Sequence, residues 1–368
     1  MNNKFHAVAL LAALAPAAAL AQTPLGSDNL TFYGKLDVAY DSVHFSAAPT
    51  HGATSASYLS NDISYWGVRG SEDLGGGTRA YFKLESGFSP DTGANTGGTT
   101  QFFDREAYVG YGSSWGALQL GSQFAPSLFV QARSDPFGRV NNGNGITLTQ
   151  QIPGNLRGFL GATPQNNAVQ YLSPNLGGFS AKLLYGLSER AAAPADLGRF
   201  TGGSVEYAQG ALYAGLSYED QILAGAAPLS TLSNRTLGAG ASYDFGSVKL
   251  FGYLMRNRLS NASNVSANLV GLNIPVGVAS IKASYAQREI DNTAGGRADI
   301  YAIGYFYHLS RRTEVYTSYA HLNNGAATNF GIWPSDKTYA PPVVAGGAGL
   351  PVPGQDVTSL EVGLRHFF

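Results

Sequence analysis

Leu30-Thr-Phe-Tyr-Gly-Lys-Leu-Asp-Val-Ala-Tyr40 alternates without a break. Leu30, Phe32, Gly34, Leu36, Val38 and Tyr40 hold the even positions, and Thr31, Tyr33, Lys35, Asp37 and Ala39 the odd ones. A β-strand sends successive side chains to opposite faces, so this stretch has one apolar and one polar face. Thr78–Phe88 repeats the pattern, with Ala80, Phe82 and Leu84 set against Arg79, Tyr81, Lys83 and Glu85. Phe179–Tyr185, Ala211–Tyr218, Thr236–Phe245, Ile281–Arg288, Thr313–Tyr319 and Thr358–Phe368 behave alike. Counting such segments between turn signals gives about sixteen, an even number within the range of bacterial membrane barrels.

A soluble β-sandwich also alternates, but here charged residues sit mid-strand while tyrosine and phenylalanine gather at strand ends. An interfacial aromatic girdle has that distribution. The connections are lopsided too. Asp73–Gly77, Ser113–Gly116, Asn175–Gly178 and Asp244–Ser247 are tight, whereas Ser46–Ser60, Pro90–Gln101 and Asn323–Asp356 are long and polar. Charged residues make up 13 % of the chain, against roughly 25 % in a typical soluble domain. No long apolar run lies beyond residue 21. A bilayer admits one spanning alternative to helices, a closed barrel in which every backbone polar group is paired. The expected fold is therefore all-β, a transmembrane antiparallel β-barrel of about sixteen strands.

The first residues read as an export signal. Lys4 precedes the apolar run Ala7–Leu20, and Ala19-Leu20-Ala21 is the small–x–small pattern of a cleavage site. The run is broken by Pro16 and is shorter than the roughly 20 residues a membrane helix needs. The expected division is 1–21 as signal peptide and 22–368 as the barrel. Without Lys4 the chain has 22 basic residues against 24 acidic ones, which excludes a strongly basic nucleic-acid face. It has no cysteine, and its six histidines form no H-E-x-x-H pairing, so neither a disulfide framework, a metal nor a cofactor is expected.

One insertion breaks the rhythm. From Phe124 to Gln165 no clear alternation appears, and loops of that length are usually functional. The segment contains the turn signal Asp135-Pro-Phe-Gly138 and the basic residues Arg133, Arg139 and Arg157. The residues alone leave open whether it turns into the barrel or stays outside.

Several stretches resemble the trimeric general diffusion porins of Gram-negative outer membranes, in their neisserial-type, β-proteobacterial branch. The most specific is Trp66-Gly-Val-Arg-Gly-Ser-Glu-Asp-Leu-Gly-Gly-Gly-Thr-Arg-Ala-Tyr-Phe-Lys-Leu-Glu-Ser-Gly-Phe88. Leu30–Gly34, Arg105-Glu-Ala-Tyr-Val-Gly110, Ser310-Arg-Arg-Thr-Glu-Val-Tyr316 and Val362-Gly-Leu-Arg-His-Phe-Phe368 add to it. The resemblance implies sixteen strands, a homotrimer, and a third extracellular loop folded inward as a constriction, for which 124–165 stands in the right place. It also implies an outer-membrane location amid lipid and lipopolysaccharide, and a terminal Phe368 read by the outer-membrane insertion machinery. The implied activity is passive diffusion of ions and small hydrophilic solutes, without catalysis.

Such a channel sets ion preference with charge on its wall and loop. By phase Lys35, Arg69 and Lys83 point inward and are the wall candidates; Arg105 is out of phase with Asp104, Glu106 and Tyr108 and joins them with less support. Arg133, Asp135 and Arg139 are the loop candidates. Two departures from the family pattern remove positive charge: Ser122 stands in Gly121-Ser-Gln123 where arginine is usual, and Gln170 replaces a sixth-strand arginine. With three loop arginines against Asp135, weak anion selectivity is the expectation.

Other readings compete. A substrate-specific channel would carry an aromatic track, but the inward tyrosines Tyr33, Tyr81, Tyr213 and Tyr316 are dispersed. A barrel-embedded enzyme would need a dyad among acids such as Asp37, Asp104 and Glu106. Gly112-Ser-Ser-Trp-Gly116 matches the nucleophile-elbow pattern, which requires a strand leading into a helix. Here it lies between two alternating segments, and Gly75–Gly77 likewise reads as a hairpin turn rather than a phosphate loop.

Overall fold

The computed structural model describes residues 30–49, 52–98, 100–145, 148, 151–152, 155–159, 164–190, 194–225, 230–260, 263–332 and 351–368. The expected signal peptide and the side chain of Arg157 lie outside the described residues, as does 333–350 of the long connection Asn323–Asp356.

The wall runs β1 (Leu30–Phe45), β2 (Thr54–Asn61), β3 (Tyr65–Gly75), β4 (Thr78–Ser89), β5 (Glu106–Ser113) and β6 (Gly116–Phe124). After the helix α1 (Pro126–Arg133) come β7 (Pro164–Leu172), β8 (Phe179–Gly186), β9 (Phe200–Gln209), β10 (Leu212–Ala224) and β11 (Thr231–Asp244). The remainder are β12 (Lys249–Leu259), β13 (Val265–Val276), β14 (Ala279–Ile290), β15 (Arg297–His308), β16 (Thr313–Asn324) and β17 (Val357–Phe367). Each pairs antiparallel with its neighbours, and β6 finds β7 across the long insertion. β1 closes on β17 in a register from Lys35 opposite Phe367 to Phe45 opposite Val357. β2 and β3 are two halves of one wall strand, so the barrel has sixteen strands among the described residues. The closing β1–β17 pairing joins the two ends of the sheet, as a barrel in a bilayer requires.

The alternation is expressed inside out. Apolar side chains of one face are exposed around the wall, among them Leu216 and Leu254 at 59 % and 63 %, while Asp37, Asp41, Glu361 and Arg365 on the other face are buried. Water would not stabilise so large an apolar surface; hydrocarbon does. At the tight-turn rim, rings pair around the outside: Trp115 stacks on Tyr171 at 6.1 Å, Phe179 meets Tyr207 at 4.7 Å, and Tyr243 meets Phe245 at 4.6 Å. Amphipathic rings at that level anchor a barrel at the membrane–water interface.

Ser46–Ser60 reads as a loop in the sequence; in the structure its second half is β2. Thr54-Ser-Ala-Ser-Tyr-Leu-Ser-Asn61 is small and polar apart from Tyr58 and Leu59, which fall on opposite faces, so the alternation that marks the other strands is nearly silent there. β2 and β3 are separated by a kink in which Ile63 takes φ 58°, a conformation that costs a β-branched residue of order 1–3 kcal/mol. Hydrogen bonds hold it: Ser64 N donates to Asn61 Oδ1 at 2.8 Å and Asn61 Nδ2 to Phe88 O at 2.9 Å. The kink carries Asp62 to the inner face.

Candidate functional site

The inner face of β1 is bound into a network across the closing seam. Lys35 Nζ donates to Asp37 Oδ2 at 3.1 Å and to the Asp62 carbonyl at 2.6 Å. Arg365 on β17 also donates to Asp37, reaches Asp62 Oδ2 at 3.0 Å, and pairs with Glu314 at 2.7 Å. Tyr316 completes the shell of Asp37 at 2.7 Å. Lys35 therefore faces inward as its phase requires, but it is buried and its charge is spent in the wall.

A second cluster spans β3 to β5. Lys83 Nζ pairs with Glu106 and, at 3.2 Å, with Glu85. Arg105 Nε donates to Glu85 Oε1 at 2.6 Å, and its guanidinium lies 4.5 Å from the centre of the Tyr65 ring. By phase Arg105 falls outside the inward set, yet the structure brings it to the same carboxylate as Lys83. β5 begins only at Glu106, so the residue before it is free of strand geometry and swings to the inner side. Arg69 is exposed and rests on the Tyr33 ring at 5.1 Å, while Tyr33 donates to Glu85 at 2.8 Å. Arg69 takes part in no ion pair among the described residues.

The segment after β6 shows no regular pattern in the sequence, but it opens with α1. Its N-terminal position is Pro126, which suits the first helical turn where the missing N–H is no loss. No side chain caps Ala125 and the first turn carries no acid, so the usual sequence marks of a helix start are absent. Arg133, in the last turn, is half exposed, 3.5 Å from Glu206 and over the Tyr213 ring. Glu206 is also held by Lys182 at 2.8 Å.

Asp135–Gly138 folds as the turn its sequence signals. Gly138 N donates to Asp135 O at 3.0 Å with Gly138 at φ 65°. The Asp135 carboxylate caps the turn, accepting from Phe137 N at 3.0 Å and Arg139 N at 2.9 Å. Burial pushes the Asp135 carboxyl up to about 6 despite those two donors. Burial likewise draws Arg139 down to about 10. Phe137 meets Phe306 of β15 at 6.1 Å. Asn141 N donates to Asp62 Oδ2 at 2.7 Å, and Asn142 N to Glu361 Oε2 at 3.1 Å. Asn142 Nδ2 donates to Asp41 and, at 2.7 Å, to Ser359 Oγ. Ser284 and Arg288 of β14 donate to the carbonyls of Gly143 and Leu148. All these partners lie on the polar face of the wall.

The catalytic look-alikes have ordinary roles. Ser113 and Gly116 pair across the turn joining β5 to β6, so Gly112–Gly116 leads into a strand and not a helix. Gly75, Gly76 and Gly77 all take positive φ in a hairpin. Among the described residues no group of three His, Cys, Asp or Glu is placed to hold a metal.

The model of the Gram-negative porin family matches residues 7–327. The chain belongs to that family. Similar proteins include outer membrane porin protein 32 of Delftia acidovorans, 31 % identical with all of both chains covered. An outer membrane porin protein of Bordetella pertussis is 28 % identical over 90 % of this chain and 98 % of the relative. Among solved structures, the anion-selective porin from Comamonas acidovorans superposes with a TM-score of 0.76 at 27 % identity, covering 92 % of this chain and 99 % of that one. This porin is thus a passive diffusion channel of the outer membrane and not an enzyme.

Sequence reasoning missed several charged residues of the porin's inner face. Lys182 and Lys282 sit in the alternating segments Phe179–Tyr185 and Ile281–Arg288, where phase alone points them inward; Glu206 of β9 and Lys249 of β12 lie outside the segments whose alternation stands out. Asp62 was not accessible to phase, because only the kink at Ile63 turns it inward. Phe368 lies at the closing seam: its N donates to Gly34 O at 3.1 Å, Gly34 N returns a bond at 3.2 Å, and its ring meets Phe32 at 5.7 Å. A glycine at 34 on the outward face could leave room for a neighbouring subunit; instead the Phe368 ring fills that space.

Proposed function

We propose that 124–165 forms the narrow point of this porin's aqueous path and that the path favours anions weakly. The constriction reading is supported by the hydrogen bonds that Asn141 and Asn142 donate to Asp62 and Glu361 and that the carbonyls of Gly143 and Leu148 accept from Ser284 and Arg288, and sixteen strands enclose a lumen wide enough to need narrowing. One observation carries the anion preference. Arg69 and Arg79 stack on Tyr33 and Tyr81 without a carboxylate partner among the described residues, whereas Glu85, Glu106 and Glu206 are each paired to a cation. Unpaired positive charge on a channel wall raises the local anion concentration. The Comamonas porin's selectivity agrees with this sign.

The chain assembles as a homotrimer in this reading, with residues 1–21 removed on export and Phe368 recognised by the insertion machinery. An aromatic group on the outside of β1 and β3, exposed Phe32 and half-buried Trp66 with exposed Phe102 nearby, supports a subunit contact on that side. Conductance of the purified protein in planar bilayers tests the whole: ohmic steps in threes and a reversal potential modestly favouring chloride are expected. A several-fold preference for potassium would reject the selectivity. Cross-linking that stops at a monomer would reject the trimer.

A further inference from the structure

The outer face of the barrel carries a basic patch at the long-loop ends of β11 and β12. Arg235 of β11 and Arg258 of β12 are direct partners in the ladder, and Arg256 lies two residues before Arg258 on the same face. Arg235, Arg256 and Arg258 are exposed, while Asn234, Thr236 and Asn257 between them are buried and bonded to one another on the inner side. Leu237 and Leu254, next on the outer face toward the tight turns, are exposed at the level of the hydrocarbon. At about 3.4 Å per residue and a tilt near about 40°, the strand from Tyr243 to Arg235 sets the patch roughly 20 Å above the tight-turn aromatic rim. That height is the upper edge of an apolar band about 25 Å tall, and the long loops of such barrels are extracellular. The patch is therefore level with the headgroups of the outer leaflet.

Two guanidinium groups at directly opposed ladder positions repel and weaken the pairing. Carboxylates offset part of the charge. Asp220 Oδ2 accepts from Arg235 Nε at 3.2 Å, and Asp291 Oδ2 from Arg256 Nη2 at 2.7 Å. Asp220 is also engaged through Oδ1 by the Ser233 hydroxyl at 2.8 Å. Arg258 has no ion-pair partner among the described residues. The connections that leave β11 and β12 at this end, 225–230 and 260–264, contain no acidic residue to supply one. Glu289 shares the row of Arg256 but lies two strands off, directly opposite Arg297. The patch thus presents net positive charge at the membrane surface.

We propose that Arg235, Arg256 and Arg258 bind a phosphate of the outer-leaflet glycolipid, the lipid A part of lipopolysaccharide. A guanidinium presents paired N–H donors that match two phosphate oxygens, and Arg235 and Arg258 offer two such forks across one ladder position. A phosphate between them removes the repulsion that the bare pair carries. Leu237 and Leu254 directly beneath give the acyl chains of the same molecule an apolar wall, so headgroup and chains are held together. A free phosphate ion would gain only the first two contributions. β11 and β12 lie nearly across the barrel from β1, away from the side offered above for subunit contact, which leaves the patch open to lipid. The site lies outside the lumen and is independent of the channel's selectivity.

The test titrates lipid A into the full-length porin, purified in detergent and freed of co-purified lipid, with EDTA present. Binding is read by native mass spectrometry and by the rise in unfolding temperature. Diphosphoryl lipid A should bind about tenfold more tightly than its dephosphorylated form. EDTA should leave this preference intact, because arginine needs no bridging cation. Arg235→Gln with Arg258→Gln should abolish the preference, and Arg258→Lys should retain part of it. Arg258→Gln alone breaks no ion pair, should reduce the preference several-fold, and serves if the double variant does not fold. Conductance in planar bilayers should stay at the wild-type value in each folded variant. A phosphate preference undiminished in Arg258→Gln, or binding lost altogether in EDTA, would overturn the site. Phosphatidylglycerol binding as tightly as lipid A, or inorganic phosphate at equal concentration displacing it, would overturn the assignment to the glycolipid.

Discussion

The backbone N–H of Asn141 ends 2.7 Å from Asp62 Oδ2, joining the long segment after β6 to the kink between β2 and β3. The same carboxylate oxygen accepts from Arg365 Nη2 at 3.0 Å, so one buried acid ties the loop, a broken strand and the closing seam. Removing one partner from a buried charge network leaves the others uncompensated and costs about 3–5 kcal/mol. Asp62→Ala is therefore expected to lower the temperature at which the barrel unfolds and to add large slow fluctuations to the single-channel current. Asp62→Asn, which keeps an acceptor oxygen, should restore much of the quiet baseline. Bilayer recordings of the two variants check this.

Ion preference should follow Arg69 and Arg79 more than Lys35 or Lys83. The first two have exposed guanidinium groups stacked on tyrosines, and the last two are committed to carboxylates. Arg69→Glu with Arg79→Glu should move the reversal potential in a salt gradient toward cation preference. Lys83→Gln should move it less, because Arg105 still faces Glu85 at 2.6 Å. An equal shift from both changes would show that ion pairing does not set the field in the lumen.

Asp135 gives the channel a pH dependence with a definite sign. Burial raises its carboxyl from an ordinary 3.8 to about 6, so the folded protein binds this proton more tightly than the unfolded chain does. Its contribution to stability is complete below pH 3.8 and is lost as pH rises through about 6. Protonation also removes a negative charge from the turn. Anion preference should accordingly be greater near about pH 5 than near about pH 8, and Asp135→Asn should hold the lower-pH value at both. Reversal potentials measured across that range decide it.

Much of this was legible in the chain because a barrel uses a period of two everywhere, and the period survives in Leu30–Tyr40 or Thr78–Phe88 without knowledge of neighbours. The legibility failed where geometry departs from that period. Arg105 sits one residue before its strand, so its phase meant nothing. β2 has no apolar face to reveal it, and Ile63 gives no warning of its left-handed backbone. The alignment of Lys249 on β12 with Asn273 on β13, and of Asn273 with Lys282 on β14, is a matter of register across three strands. It is fixed by the lengths of the connections 259–265 and 276–279, which no single strand's pattern encodes. The ties from Asn141 and Asn142 to Asp62 and Glu361 join residues far apart in sequence, and only closure of the barrel brings them together.

Phe368 and Gly34 make the last test of how the seam closes. Two backbone hydrogen bonds join them, and the Phe368 ring covers the space where any side chain at 34 would begin. Gly34→Val should therefore expel the ring toward lipid and press on the Tyr65 carbonyl, weakening the pairing of β1 with β17 at its end and with β3 beside it, although the rest of the β1–β17 ladder from Lys35 to Phe45 remains. Phe368→Ala removes the ring without adding a clash and gives up its contact with Phe32. If the ring's packing is what matters, both variants unfold at lower temperature, seen as heat-dependent migration of the detergent-solubilised protein, and Phe368→Tyr stays near the wild type. If Phe368 acts as an assembly address, Phe368→Ala reduces the amount of folded barrel recovered from outer membranes far more than it lowers the unfolding temperature. Gly34→Val, which leaves the terminal residue intact, then shows the opposite balance.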